Sequence, residues 1–144
     1  MPVANTKKKT AKAKKSAKGK FKSKPLLSNI RKPVDMPVTV WQTMLRKQAA
    51  ERAEFKINNI GEGLVYSDYS VYNDSTKNLY KVALRSNDNS RNYCSCYDFK
   101  TNQLGTCKHI EAVLLQIIKK PALRKALAQT YQTGYSSIYM EYRG

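Results

Sequence analysis

The sequence predicts an α+β fold, in which a small antiparallel sheet and flanking helices follow a basic tail that is disordered in isolation. Three observations lead to this prediction: a lysine-rich beginning, alternating apolar positions in the middle, and a helical repeat of apolar residues near residue 110. The length of 144 residues suits one ordinary domain. We expect a tail over 1–36, a folded domain over 37–134, and a terminal strand or unfinished extension over 135–144.

The positive charge is concentrated at the beginning of the chain. Of the net charge of +17, the first 34 residues carry +12 and contain no acid. Such a segment buries too little apolar surface to offset its chain entropy, and a mobile polycation is suited to binding phosphates. A solubilising tail or a nuclear localisation signal is the alternative. The tail residues expected to contact nucleic acid are Lys7, Lys8, Lys9, Lys12, Lys14, Lys15, Lys18 and Lys20.

The folded part is expected to begin with an amphipathic helix over 39–53. Thr39 and Gln42 have the spacing of a capping box, and apolar residues recur every three or four positions from Trp41 onward. This pattern predicts one helix face that is buried against the rest of the domain.

Two further helices are predicted after the middle of the chain. Apolar residues over 110–118 follow the period of an α-helix, and Pro121 ends that helix. Because proline is well tolerated at the first helical position, Pro121 is expected to open a third helix over 121–132.

Alternating segments at 55–60, 64–72 and 79–85 predict the strands of a small antiparallel sheet. In the last segment the even-numbered residues are apolar, whereas Lys81 and Arg85 share the other face. We therefore expect one wet, basic face. Four tyrosines in this region are expected to be half-buried strand residues, and stacking on unpaired bases is the alternative. The tyrosines concerned are Tyr69, Tyr72, Tyr93 and Tyr97.

All the cysteines and the single histidine form two close pairs, Cys94 with Cys96 and Cys107 with His109. Three sulfurs and one imidazole are a ligand set for tetrahedral Zn²⁺. Side chains at i and i+2 point the same way on a strand, so the first pair is expected at a strand end. The second pair is expected in the turn into the helix over 110–118, where the helix dipole favours thiolates.

Two other interpretations of these residues stay open. A disulfide would leave one cysteine over, and a bridge between Cys94 and Cys96 would be strained. A catalytic cysteine–histidine pair would leave the other two cysteines unexplained. A structural zinc site accounts for all four residues and fills every coordination position with protein.

The spacing CxC, ten residues, CxH resembles the SWIM zinc finger. The flanking text, YCSCYDF and LGTCKHIEAVLL, is similar to the form that precedes the motor of bacterial Swi/Snf-type helicases, and the resemblance covers about 38–120. It implies a ββα unit in which zinc joins strand to helix, with a role in DNA binding or protein–protein interaction. Tyr97 departs from the family by standing where proline is frequent.

The sequence predicts a non-enzymatic, zinc-binding nucleic-acid-binding module that is accessory to a Swi/Snf-type helicase. The alternative is an adaptor that docks on a helicase or nucleoprotein complex, with the tail only tethering it to DNA. We expect the partner to be DNA, with RNA as the alternative, and not a membrane. The expected location is the bacterial nucleoid in the cytoplasm, or the nucleus in a eukaryote. No Walker motif is present. The expected phosphate contacts in the domain are Lys81, Arg85, Arg91, Lys100 and Lys108.

Overall fold

The computed structural model of the chain describes residues 26–129. The predicted tail lysines at 7–20 and the predicted extension over 135–144 lie outside the described residues. In chain order the elements are α1 (Val38–Arg52), β1 (Phe55–Asn59), β2 (Asp68–Asn73), β3 (Asn78–Ala83), β4 (Tyr93–Cys94), α2 (Tyr97–Asn102), α3 (Lys108–Ile118) and α4 (Pro121–Leu127). No helix among these is long and apolar enough to cross a membrane.

The four strands form one antiparallel sheet in the order β1-β2-β3-β4, so each strand pairs with the next along the chain. One face of the sheet is apolar and packs against α3 through Val71, Val82 and Leu84, which are all but inaccessible to solvent. Helix α3 contributes Ile110 and Val113 to the same core. This arrangement confirms the predicted α+β class.

Helix α1 packs against α3 and begins at Val38, one residue earlier than predicted. The predicted capping box at Thr39 is wrong, because Pro37 is the N-cap and provides no side-chain cap. Pro37 is extended, and its carbonyl accepts the Trp41 N–H at 3.0 Å, so the proline itself sets the start of the helix.

Part of the predicted tail, residues 26–36, is described and contacts α1. The Leu27 N–H donates to Gln48 Oε1 at 2.8 Å, and Gln48 Nε2 donates back to the Leu27 carbonyl. The Trp41 indole donates to the Ser28 carbonyl at 3.0 Å. These bonds hold residues 27 and 28 against α1.

The second strand begins at Asp68 rather than near residue 64, because the preceding segment forms a loop around Asn59. The Asn59 side chain donates to the Gly63 carbonyl and accepts from the Gly61 N–H and the Ser67 hydroxyl. These bonds satisfy polar groups that a strand would have paired with its neighbour.

Candidate metal centre

The four predicted ligands lie at the ends of three neighbouring elements. Cys94 ends β4, and Cys96 is the N-cap residue of α2. Cys107 is the N-cap residue of α3, and His109 lies in the first turn of that helix. The second pair lies at a helix start and Cys94 at a strand end, as predicted, but Cys96 lies beyond the strand, at the start of α2.

The ligand atoms of these residues converge on one point. The three sulfurs and the imidazole nitrogen all lie within 4.8 Å of one another. His109 Nδ1 is 3.7 Å from Cys94 Sγ and 4.0 Å from Cys107 Sγ. A tetrahedral zinc ion with ordinary bond lengths would separate sulfur and nitrogen by roughly 3.6 Å. The cluster is thus close to the size that the ion requires.

The cluster is part of the hydrophobic core. Its four side chains are at most 5 % exposed. The His109 ring stacks on Tyr80 with centroids 4.0 Å apart and meets the edge of Phe55 at 5.2 Å. Its Nε2 is buried and has no hydrogen-bond partner among the described residues. The nitrogen that faces the sulfurs, and so would bind a metal ion, is Nδ1, while the unpartnered Nε2 carries a desolvation cost.

The electrostatics of the three thiols favour a bound cation. Hydrogen bonds from Cys107 and Cys94 lower the pKa of Cys96. Cys107 also lowers the pKa of Cys94, but the bond with Cys96 and burial outweigh this effect and raise it to about 12. Hydrogen bonds with Cys94 and Cys96, followed by burial, raise the pKa of Cys107. Three buried thiols this close together cannot all ionise without an opposing charge, and a divalent ion would supply it.

A compact loop joins the two ligand pairs. The Asn102 side chain donates to the Thr106 carbonyl at 2.9 Å and accepts the Leu104 N–H at 2.7 Å. Gly105 has φ +68°, and a Cβ there would collide with the Asn89 carbonyl. The buried Thr106 hydroxyl is bonded to the buried Glu111 carboxylate. The loop therefore presents Cys107 in a single position.

An ion pair fastens α1 to the helix that Cys96 caps. The Arg46 guanidinium donates to both carboxylate oxygens of Asp98, at 3.0 and 2.6 Å. The Phe99 N–H, one residue further on, donates to Cys96 Sγ at 3.4 Å. Neither α2 nor this ion pair was predicted from the sequence, because a six-residue helix has too little apolar repeat to be detected and the partners are 52 positions apart.

The donor set, the distances and the burial fit a structural zinc ion held by Cys94, Cys96, Cys107 and His109. All three cysteines are free, so the disulfide interpretation is not supported. With every coordination position filled by protein, the ion would fasten β4 to α3.

The basic residues of the domain that are predicted to contact phosphates differ in their exposure to solvent. Lys81, Arg91 and Lys100 are exposed, and Lys108 is half-buried at the start of α3. Arg85 is instead engaged by Asp68 at 2.6 Å.

The four tyrosines considered for base stacking differ in how far they are buried. Tyr69 is 6 % exposed and its hydroxyl donates to the Val65 carbonyl, so it is a buried strand residue and cannot stack on bases. Tyr72 is half-buried, whereas Tyr93 and Tyr97 are exposed. The strand pattern had given no sign that Tyr69 faces inward, because the segment over 64–72 is apolar and aromatic on both faces.

Residues 80–118 match the family model of the SWIM zinc finger. The matched span runs from Tyr80 to Ile118, so it includes all four ligands and the whole of α3. The chain therefore carries a SWIM zinc finger. No curated protein and no solved structure matches the chain.

Proposed function

We propose that this zinc-finger protein is a non-enzymatic nucleic-acid-binding module. The observation that carries the proposal is the one-sided charge, +12 in the first 34 residues against +5 in the remainder. Lysine–phosphate pairs release condensed counterions, which gives strong binding without sequence preference. DNA or RNA is the partner, and the tail supplies most of the affinity.

The folded domain gives the tail a fixed point of departure. Residues 26–36 are bonded to α1, α1 is joined to α2 by the pair Arg46–Asp98, and α2 is capped by a zinc ligand. Exposed cations on the domain add phosphate contacts, and the zinc ion keeps their spacing constant. Of the five domain residues predicted to contact phosphates, the exposed ones are Lys81, Arg91 and Lys100.

A salt titration of the full chain tests this proposal. Binding to a fluorescent oligonucleotide is measured by anisotropy between about 50 and 200 mM salt, where six to ten phosphate contacts should cost about 10³–10⁵-fold in affinity. The variant exchanges tail lysines for glutamine, which retains the length of the tail. We expect the slope of log K against log salt on duplex DNA to fall by about 0.9 for each lysine–phosphate pair that the exchange removes. The exchanged residues are Lys7, Lys8, Lys9, Lys12, Lys14, Lys15, Lys18 and Lys20.

An acidic polymer that is not a nucleic acid provides the control. Polyglutamate has a lower linear charge density than duplex DNA and releases fewer condensed counterions, so we expect it to compete poorly against the duplex at equal charge. If the unmodified chain fails to bind DNA and RNA at low salt, the proposal is wrong.

A protein adaptor is the second candidate, and exposed apolar side chains before and within α1 favour it. Ile30 and Val34 are 91 and 92 % exposed, and Val38 and Val40 are about half exposed. Exposed apolar side chains of this kind are suited to contact another protein, for which a Swi/Snf-type helicase or another nucleoprotein component is the proposed class. Complete loss of binding in the glutamine variant would favour the adaptor, since the tail would then be the only tether.

A further inference from the structure

We propose that the face of the sheet turned away from α3 binds single-stranded nucleic acid by stacking its bases on tyrosine rings. This inference rests on the proposed function and assigns it a site. We define the outer face by its exposed and half-buried residues. They are Ser70, Tyr72, Leu79, Lys81 and Tyr93.

The strand register places these residues on one surface. Tyr72 pairs with Leu79, and Ser70 pairs with Lys81. Ala83 pairs with Tyr93, which puts that tyrosine on the same side. Their chain neighbours Val71, Val82 and Cys94 point into the core. Among residues 26–129 the helices pack on the core side or beside β4, so the outer face is open.

Its two tyrosines present apolar rings to solvent in ordered positions. Tyr93 is 42 % exposed and rests edge-on against Phe99 with centroids 5.7 Å apart. The Tyr72 ring is half-buried, with the Lys56 ammonium 5.8 Å from its centroid. Leu79 beside it is 63 % exposed, which is unusual for a leucine in a central strand. The surface thus combines aromatic and aliphatic groups that a base can cover.

The charge of this surface complements a phosphate backbone. Two acids border this face, Asp68 at the start of β2 and Asp74 just after its end. Both are already paired, Asp68 with Arg85 and Asp74 with Lys56, each at 2.6 Å. Lys81 is exposed between the two tyrosines and has no carboxylate within ion-pair distance among the described residues. The face therefore keeps an unpaired cation at its centre.

The spacing of the rings favours a single strand over a duplex. Tyr72 and Tyr93 are two strands and four positions apart, which is roughly 16 Å between their Cα atoms. Rings this far apart would each cover a separate, unstacked base, with Lys81 near the phosphates between them. Bases in a duplex are stacked on each other and cannot reach the rings, so a duplex would contact only the cations.

Three single variants of the full chain test the site, in the glutamine-tail background so that tail binding does not mask it. They are Tyr72→Val, Tyr93→Val and Lys81→Gln. Anisotropy is measured with an oligothymidine of about 16 nucleotides and with a hairpin duplex. We expect each valine variant to lose about five- to 150-fold in affinity for the single strand and little for the duplex. Lys81→Gln should weaken both and lower the salt slope by about 0.7 on the single strand.

Tyr72→Phe and Tyr93→Phe are the matched controls, because they keep the ring and remove only the hydroxyl. Both should bind the single strand like the parent. Zinc content and the thermal transition of every variant show that the fold is intact, and Lys81→Gln tests the site even where a valine variant unfolds. Single-strand affinity that is equal in the parent and in folded Tyr93→Val and Lys81→Gln would overturn the inference.

The failure of this site and the failure of the proposed function give different results. If the outer face is not the site, the unmodified chain still binds nucleic acid, but the substitutions at Tyr72, Tyr93 and Lys81 leave its affinity for the single strand unchanged. If the proposed function is wrong, the unmodified chain does not bind either probe at low salt. Preference for the duplex with unaffected valine variants would also contradict the single-strand site.

Discussion

A packing role and a metal-binding role for His109 predict different effects when this residue is replaced. Its ring is buried between Tyr80 and Phe55, as a core aromatic would be, yet its Nδ1 faces two sulfurs. A phenylalanine at this position would keep the ring contacts and remove the unpartnered Nε2. The substitution therefore separates the two roles.

We expect His109→Phe to lose zinc affinity by more than the 10–100-fold that follows loss of a group outside the ligand shell. Removing one of four ligands opens a coordination position that the core cannot fill with water. Affinity is measured by competition with a zinc-binding dye, and stability by thermal melting. Cys96→Ser changes one ligand atom and little volume, and we expect it to lose zinc affinity as His109→Phe does. If His109→Phe binds one equivalent as tightly as the parent, His109 is only a core residue.

At the scale of elements, the loop between α2 and α3 decides where Cys107 lies. It contains two residues with left-handed backbone, Gln103 at φ 54° and Gly105 at φ 68°. Glycine adopts this conformation freely, whereas other residues are strained there by roughly 1–2 kcal/mol. The loop thus requires glycine at Gly105, whereas at Gln103 a glycine would relieve backbone strain.

Gly105→Ala should destabilise the zinc-bound protein by about 1–3 kcal/mol and weaken zinc binding, because the added Cβ collides with the Asn89 carbonyl. Gln103→Gly is the control, and we expect a change between zero and a gain of about 1 kcal/mol. Thermal melts and dye competition measure both. Equal losses of stability and zinc affinity in the two variants would show that general loop flexibility, and not backbone strain, controls the site.

At the scale of the whole molecule, the sequence predicted local features better than it predicted contacts between residues far apart in the chain. The apolar period of α3 and the alternation of β3 predicted their positions within a few residues, and the ligand spacing predicted the strand end and helix start. Helix α2, the inward direction of Tyr69 and the ion pair of Arg46 with Asp98 were missed. These features depend on which elements meet in three dimensions, and no local period contains that information.

The last prediction concerns the coupling of metal and fold. Structural zinc supplies about 10–16 kcal/mol in zinc-finger peptides, whereas a whole domain is stable by only about 5–15 kcal/mol. The ligands here occupy the centre of the core, between the sheet and α3. Removal of the ion should therefore unfold the sheet and α3 together.

Circular dichroism during titration with a chelator measures this coupling. We expect the helical signal and the cooperative melt to disappear as zinc is withdrawn and to return when zinc, but not magnesium, is added back, because thiolates favour the softer ion. Helix α1 should be lost with the rest, since its main partner is α3. A cooperative melt at an unchanged temperature after full removal of zinc would contradict this prediction, since the apolar core alone would then hold the strand to the helix.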